Sequence, residues 1–122
     1  MYNNANCSYE CGDGWLPLIE DAKTIIAKYN LYHPILEEKL EFVQIKEKWG
    51  ELRLYLNQYI PEVEEKIHKL EEKSLDICEQ CGTDKNVKTE WTHGWIMTLC
   101  DNCRNEEMKK YNERFNVGSK KS

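Results

Sequence analysis

Two Cys-x-x-Cys pairs in the second half of the chain constrain its fold more than any other feature. The first pair is Cys78 and Cys81, the second is Cys100 and Cys103, and eighteen residues separate the pairs. A two-residue spacing lets both sulfurs of a pair face one point, so two pairs can surround a metal ion tetrahedrally. The sequence therefore predicts one structural zinc ion held by these four cysteines, with no ligand position left open for a substrate.

The expected compartment supports metal binding. Residues 1–6 contain neither a basic cluster nor an apolar core, so they lack the features of a secretory signal. No apolar run in the sequence approaches the roughly 20 residues that a membrane span needs. We therefore expect a cytoplasmic protein, where paired cysteines bind metal more often than they form disulfides. A redox dithiol, an iron–sulfur cluster and plain buried cysteines are the alternatives.

Hydrophobic periodicity predicts the elements that precede the cysteine pairs. A helix capped by Asp13 should end near Asn30, because apolar residues recur at helical spacing between them. A short helix is expected at 34–40. Residues 42–56 are compatible with a helix, but alternating leucines and the central Gly50 favour two strands around a turn.

The remaining elements follow from similar signals. Pro61 should open an amphipathic helix, since its missing N–H costs least in the first turn. Apolar residues recur there every three or four positions, which favours packing on the same domain over a coiled coil. After the first cysteine pair, we predict strands at 87–91 and 95–99. We also predict a helix whose N-terminus lies at the second pair, 100–103, and which continues through 104–115.

Together these elements predict an α+β fold. An N-terminal helix, a β-hairpin and an amphipathic helix should join a C-terminal four-cysteine finger of the treble-clef or zinc-ribbon type. The predicted boundaries are 1–77 for the helix–hairpin–helix region, 78–116 for the finger and 117–122 for a disordered tail.

The sequence contains no set of residues typical of an active site, and we expect no enzymatic activity. His33 precedes a proline, and His68 lies among charged residues of a predicted helix. His93 is at the tip of the second predicted hairpin. A His-metal nuclease would also need a metal-binding histidine or asparagine on the next helix, which carries Asn105 and Asn112 but no histidine.

The two remaining cysteines, Cys7 and Cys11, have a loose spacing of three intervening residues. We predict that they are free thiols. The alternative is a second metal site that they would share with His33 or His68.

Charge argues against nucleic acid as a partner. The net charge is −5, and residues 78–122 carry eight basic and seven acidic residues, so the predicted finger is close to neutral. The aromatic residues leave two interpretations. Trp49, Trp91 and Trp95 are expected to pack the small core beside the zinc, and exposed anchors for a partner protein are the alternative.

Motifs within residues 11–103 resemble those of small zinc-binding proteins of phages and prophages, such as the SPbeta-like Bacillus phages. They are CGDGW at 11–15, VQIKEKWGELRLY at 43–55, Cys78-x-x-Cys81-Gly82, Gly94-Trp95 and Leu99-Cys100-Asp101-x-x-Cys103. The resemblance implies a strand–turn–strand at 42–56 and a location in the host cytoplasm. It also implies anti-defence activity by direct binding to a larger host protein, such as a sirtuin-domain, NAD-hydrolysing defence protein. It implies no catalytic residues.

From these observations we expect a stoichiometric inhibitor that acts by protein–protein binding. The alternative is a zinc-finger protein that binds nucleic acid or regulates transcription, because finger folds serve both functions. A third interpretation is a structural or adaptor component of a larger phage assembly.

Overall fold

A computed structural model describes residues 9–34 and 38–116, with side chains described up to residue 114. This part of the chain contains three helices and two small sheets, which confirms the mixed α+β class. The helices are α1 (Leu16–Tyr32), α2 (Pro61–Lys73) and α3 (Asp101–Asn116). The strands are β1 (Tyr9–Glu10), β2 (Phe42–Lys48), β3 (Glu51–Leu56), β4 (Val87–Thr92) and β5 (Trp95–Cys100). None of the described helices is both long and apolar enough to cross a membrane.

The first helix differs from its prediction at both ends. A 3-10 turn, Asp13–Trp15, precedes α1, and the structure gives this turn no side-chain cap. The predicted capping role of Asp13 is therefore wrong. At its other end α1 continues to Tyr32, two residues beyond the predicted end at Asn30.

The short helix predicted at 34–40 is wrong in the part that the structure describes. Residues 34 and 38–40 form turn, bend or coil, while 35–37 lie outside the described residues. The Asn30 side chain explains the difference, because its Nδ2 donates to the Leu40 carbonyl and its Oδ1 accepts from the Leu40 N–H, both at 2.9 Å. The Asn57 side chain likewise bonds the backbone of Lys39 and Glu41. These side chains satisfy backbone groups that a helix would have paired internally.

The hairpin predicted at 42–56 is confirmed. Strands β2 and β3 pair antiparallel, and β1 adds to β2 in parallel, which gives the sheet order β1-β2-β3. The turn residues Trp49 and Gly50 both have positive φ, at 57° and 80°. Two positive φ values are typical of the tight turn that matches the twist of paired strands.

The core lies between this sheet and helices α1 and α2. Its largest fully buried side chains include Trp15, Ile19, Leu40, Ile45, Leu52 and Ile67. The apolar positions Val63 and Ile67 of α2 belong to this cluster, so α2 packs on its own chain as predicted. The β3 edge is covered as well, because Leu52 N donates to Ser74 Oγ and Leu54 N donates to Glu71 Oε2. Paired edge groups do not attract strands of other chains.

The tip of the β2–β3 hairpin contacts the β4–β5 hairpin. Thr98 Oγ1 donates to the Gly50 carbonyl at 2.5 Å, and Thr89 Oγ1 lies 2.6 Å from Thr98 Oγ1. A Cβ atom at Gly50 would lie only 3.0–3.2 Å from side-chain atoms of Thr89, Ile96 and Thr98. Glycine is therefore favoured at position 50 for two reasons, because φ is positive there and because the neighbouring hairpin leaves little room for a side chain.

We predict that Gly50→Val lowers the free energy of unfolding by about 2–4 kcal/mol, through backbone strain and crowding together. Gly50→Ala is the matched comparison, because it has the same positive φ but adds only the Cβ atom. Its loss should be smaller, about 1–2 kcal/mol. Urea melts of both variants measure the difference. Equal losses would show that crowding against β4–β5 contributes nothing.

Candidate metal centre

The structure brings the four sequence-predicted ligands together. The sulfur atoms of Cys78, Cys81, Cys100 and Cys103 all lie within 4.8 Å of one another, and no disulfide joins them. Among the described residues, this is the only such group of three or more potential metal ligands. The group can therefore hold a metal ion.

A tight turn positions the first pair. Cys78 N donates to the Thr83 carbonyl and Gly82 N donates to the Cys78 carbonyl, both at 2.9 Å. Within this turn, Cys81 N points at Cys78 Sγ at 3.5 Å. Backbone N–H groups that face sulfur stabilise the thiolate form, which is the form that binds metal.

The end of β5 and the start of α3 position the second pair. Cys100 is the last residue of β5, α3 begins at Asp101, and Cys103 N points at Cys100 Sγ at 3.4 Å. The helix thus starts within the second pair, as the sequence predicted. The N-terminus of α3 provides free N–H groups and the positive end of the helix dipole, both of which favour thiolate.

The sulfurs influence one another's ionisation. Burial raises the pKa of Cys78, but nearby backbone N–H groups, first that of Cys81, outweigh it and lower the pKa to about 7. The pKa of Cys103 is raised by burial and then by the neighbouring thiols. Ionisation of one cysteine in the group therefore makes ionisation of a second one less favourable. A bound cation would remove this repulsion between thiolates.

One pair of sulfurs has the spacing expected around a four-coordinate metal ion. Cys81 Sγ and Cys100 Sγ are 3.8 Å apart. Tetrahedral metal–sulfur bonds of about 2.3 Å place ligand sulfurs about 3.8 Å from one another.

The N-terminal segment supports the first cysteine turn through backbone contacts that the sequence analysis missed. Gly14 N donates to the Glu79 carbonyl at 2.9 Å. A Cβ atom at Gly14 would lie 2.1 Å from the Cys78 carbonyl oxygen, and one at Gly12 would lie 2.2 Å from the Glu79 carbonyl oxygen. The Gly-x-Gly spacing beside Trp15 was the available signal, because such glycines often mark close approach of two backbones.

Side chains join α3 to the β4–β5 hairpin. The Arg104 guanidinium donates to Thr92 Oγ1 and to the carbonyls of Lys88, Met97 and Leu99.

His93 has a structural environment. Its Nε2 lies 2.9 Å from Glu107 Oε2, and its ring stacks on Tyr111 with centroids 4.7 Å apart. The hydrogen bond with His93 lowers the pKa of Glu107, whose other oxygen accepts from Gln80 Nε2 at 3.2 Å. His93 therefore links α3 to the hairpin tip.

The other candidate ligands do not join a second metal group in the described residues. Cys11 is a half-buried free thiol whose pKa is raised to about 11, first by burial and then by the charge of Glu79. His33 and His68 are exposed. Cys7 lies outside the described residues.

The prediction that Trp49, Trp91 and Trp95 pack the core is wrong. Their exposed fractions are 64%, 69% and 61%, whereas Trp15 is fully buried. Trp91 is the cross-strand partner of Ile96, on the face of the β4–β5 hairpin that contacts Gly50. Trp49 is at the tip that makes this contact. Two exposed tryptophans thus flank one well-anchored junction.

Comparison of the chain with protein-family models, with curated protein sequences and with solved structures gave no match in any of the three. Function must therefore be inferred from the metal centre and from the exposed surfaces.

Proposed function

We propose that this chain is a phage-encoded, zinc-binding inhibitor that binds a bacterial antiphage defence protein one-to-one and does not alter it chemically. The observation that carries the proposal is the exposure of Trp49, Trp91 and Trp95 on two β-hairpins. Tryptophan is among the residues most enriched at the centres of protein interfaces. Leaving three of them in water does nothing for folding, so binding is the better explanation.

The metal in this proposal is zinc, and its role is structural. Four cysteine ligands are typical of structural zinc sites, in which zinc is tetrahedral. A turn with the first pair, a β-hairpin and a helix that starts within the second pair follow one another as in a treble-clef finger. With four protein ligands, zinc has no open position for a substrate, so we assign it no catalytic role.

The accessible surface of the chain is large enough for a standard protein–protein interface. A standard interface takes about 800 Å² from each partner. That is about a tenth of the accessible surface of 8024 Å². The interface should therefore combine the exposed tryptophans with half-exposed residues such as Tyr55.

The net charge of −5 supports a protein partner over nucleic acid. Exposed acids of α2, among them Glu62, Glu65 and Glu72, would steer the chain toward basic regions of a partner. The motif resemblance to small phage proteins suggests a sirtuin-domain defence protein as the first partner to test, in the host cytoplasm.

The zinc proposal predicts about one zinc ion per purified chain and no iron by elemental analysis. Cys78→Ser and Cys100→Ser should each lose the zinc and lower the melting temperature strongly, because the metal contributes to folding. Cys11→Ser is the control and should keep the zinc, since Cys11 is outside the metal group. Zinc retained by Cys78→Ser, or iron with visible absorbance in the native protein, would contradict the proposal.

The inhibitor proposal predicts the shape of a titration. When the chain is added to a purified sirtuin-domain defence protein, inhibition of NAD hydrolysis should saturate at about one equivalent, because tight binding consumes the inhibitor. Inhibition at far lower amounts, or a mass change in the target, would instead reveal an enzyme. Salt-sensitive binding to DNA without inhibition would favour the nucleic-acid alternative.

Trp49 offers a test that separates folding from binding. Tryptophan is strained at a φ of 57°, whereas Asn-Gly is a preferred pair for this turn. Trp49→Asn should therefore raise the melting temperature while weakening inhibition at least tenfold, as loss of an interface anchor does.

Trp91→Asn is the matched comparison for Trp49→Asn. It removes an exposed tryptophan from a strand without relieving strain, so inhibition should weaken with no gain in melting temperature.

Full inhibition by Trp49→Asn would place Trp49 outside the interface.

A further inference from the structure

A groove lies between the second half of α1 and the start of α2. Its volume is about 250 Å³. Ligand pockets usually exceed about 300 Å³, so this groove suits one or two side chains better than a whole cofactor. Ile25, Tyr29 and the buried Val63 supply apolar surface along it.

One wall of the groove is held in place by its own contacts. His33 stacks on Tyr29 with ring centroids 4.0 Å apart, and His33 Nδ1 lies 2.9 Å from the Tyr29 carbonyl oxygen. The two rings therefore form a preorganised aromatic wall, which lowers the entropy cost of binding.

Two lysines line the groove, one from each helix. They are Lys28 of α1 and Lys66 of α2. Within the described ranges, neither amine has an ion pair with a carboxylate, although the chain as a whole carries a net charge of −5. Glu62 is the single carboxylate among the described lining residues, and it lies in the first turn of α2, where helix N–H groups stabilise its charge. The groove is thus a locally cationic concavity on an acidic chain.

We propose that this groove binds an acidic segment of the partner protein. An aromatic or aliphatic side chain of that segment would lie on Ile25, Tyr29 and Val63, and an adjacent carboxylate would lie near Lys28 and Lys66. Complementary charge selects an acidic segment over a basic one. The apolar surface selects a peptide over a free inorganic anion. This inference rests on the proposed function, since it describes one part of the inhibitor's interface.

The groove and the exposed tryptophans belong to different elements of the fold. The groove is formed by α1 and α2, whereas Trp49 and Trp91 lie at the junction of the two hairpins. Each contact can therefore be removed separately by mutation, which makes the contribution of the groove measurable.

The first test uses two peptides and the full-length, zinc-loaded chain. The probe is Ac-Phe-Glu-Phe-Glu-NH2, and the matched control is the neutral peptide Ac-Phe-Gln-Phe-Gln-NH2. In two-dimensional NMR, the acidic peptide should shift the amide signals of Lys28, Tyr29 and Lys66 saturably. The neutral peptide should bind about fivefold more weakly or less well, because it lacks the ion pairs. Equal binding of both peptides, or no binding of the acidic one, would overturn the proposal.

Inorganic phosphate is a further probe in the same experiment. It should leave these signals unchanged at the peptide concentrations used. Phosphate shifts equal to those of the acidic peptide would show that the groove is a simple anion site, which also overturns the proposal.

Charge variants give the second test. Lys28→Gln and Lys66→Gln should each weaken acidic-peptide binding about threefold to fivefold, and Glu62→Gln should strengthen it. Lys69→Gln is the control, since Lys69 is an exposed lysine of α2 outside the lining of the groove. An equal effect of Lys69→Gln would mean that only general charge is being measured, and the proposed site would fall.

The same variants separate this inference from the proposed function. If Lys28→Gln and Lys66→Gln inhibit the sirtuin-domain protein as well as the native chain does, the groove is outside the interface and only this inference fails. If the native chain does not inhibit, the proposed function fails, while peptide binding still reports on the groove itself.

Discussion

The close backbone contact between the N-terminal glycines and the first cysteine turn is the constraint on which the rest of the structure depends. Gly14 accommodates the Cys78 carbonyl where any side chain would collide, and its N–H holds the Glu79 carbonyl. Beside it, the buried Trp15 indole donates to the carbonyls of Ser74 and Ile77. The Gly14–Glu79 bond crosses the predicted boundary between residues 77 and 78, and the Trp15 bonds hold the chain that leads up to it. The position of the four cysteines is therefore coupled to the helical core, and loss of a bound metal would affect both parts.

Local signals predicted most of the fold. The four-cysteine group follows from spacing, and the 42–56 hairpin follows from alternation around Gly50, since both patterns depend on neighbours in sequence. The helix expected at 34–40 was wrong because Asn30, from another element, bonds the backbone of Leu40. A contact between segments that are distant in sequence leaves no periodic signal.

The tryptophans show why composition is a weak guide to a small core. Trp15 and the aliphatic residues around it already fill the space between the sheet and the two helices. A domain of this size has room for few large side chains, so the number of tryptophans does not show which of them are buried. Trp49 is the sharper case, since it occupies a turn position that favours asparagine or glycine. Such a residue fits its local backbone poorly and is not buried, which is why the proposed interface includes Trp49.

In the proposed function, the metal centre and the exposed residues are related, because the first would hold the second in position. A chain of 122 residues has limited core, and side chains that must be ordered on binding reduce its affinity. Zinc in the four-cysteine group would fix the β4–β5 hairpin, and the Thr98–Gly50 hydrogen bond transfers that rigidity to the tip that carries Trp49. The stacked Tyr29 and His33 do the same for the groove between α1 and α2. Under the proposed function, a bound metal would strengthen binding without contacting the partner, because it would hold the exposed tryptophans in place beforehand.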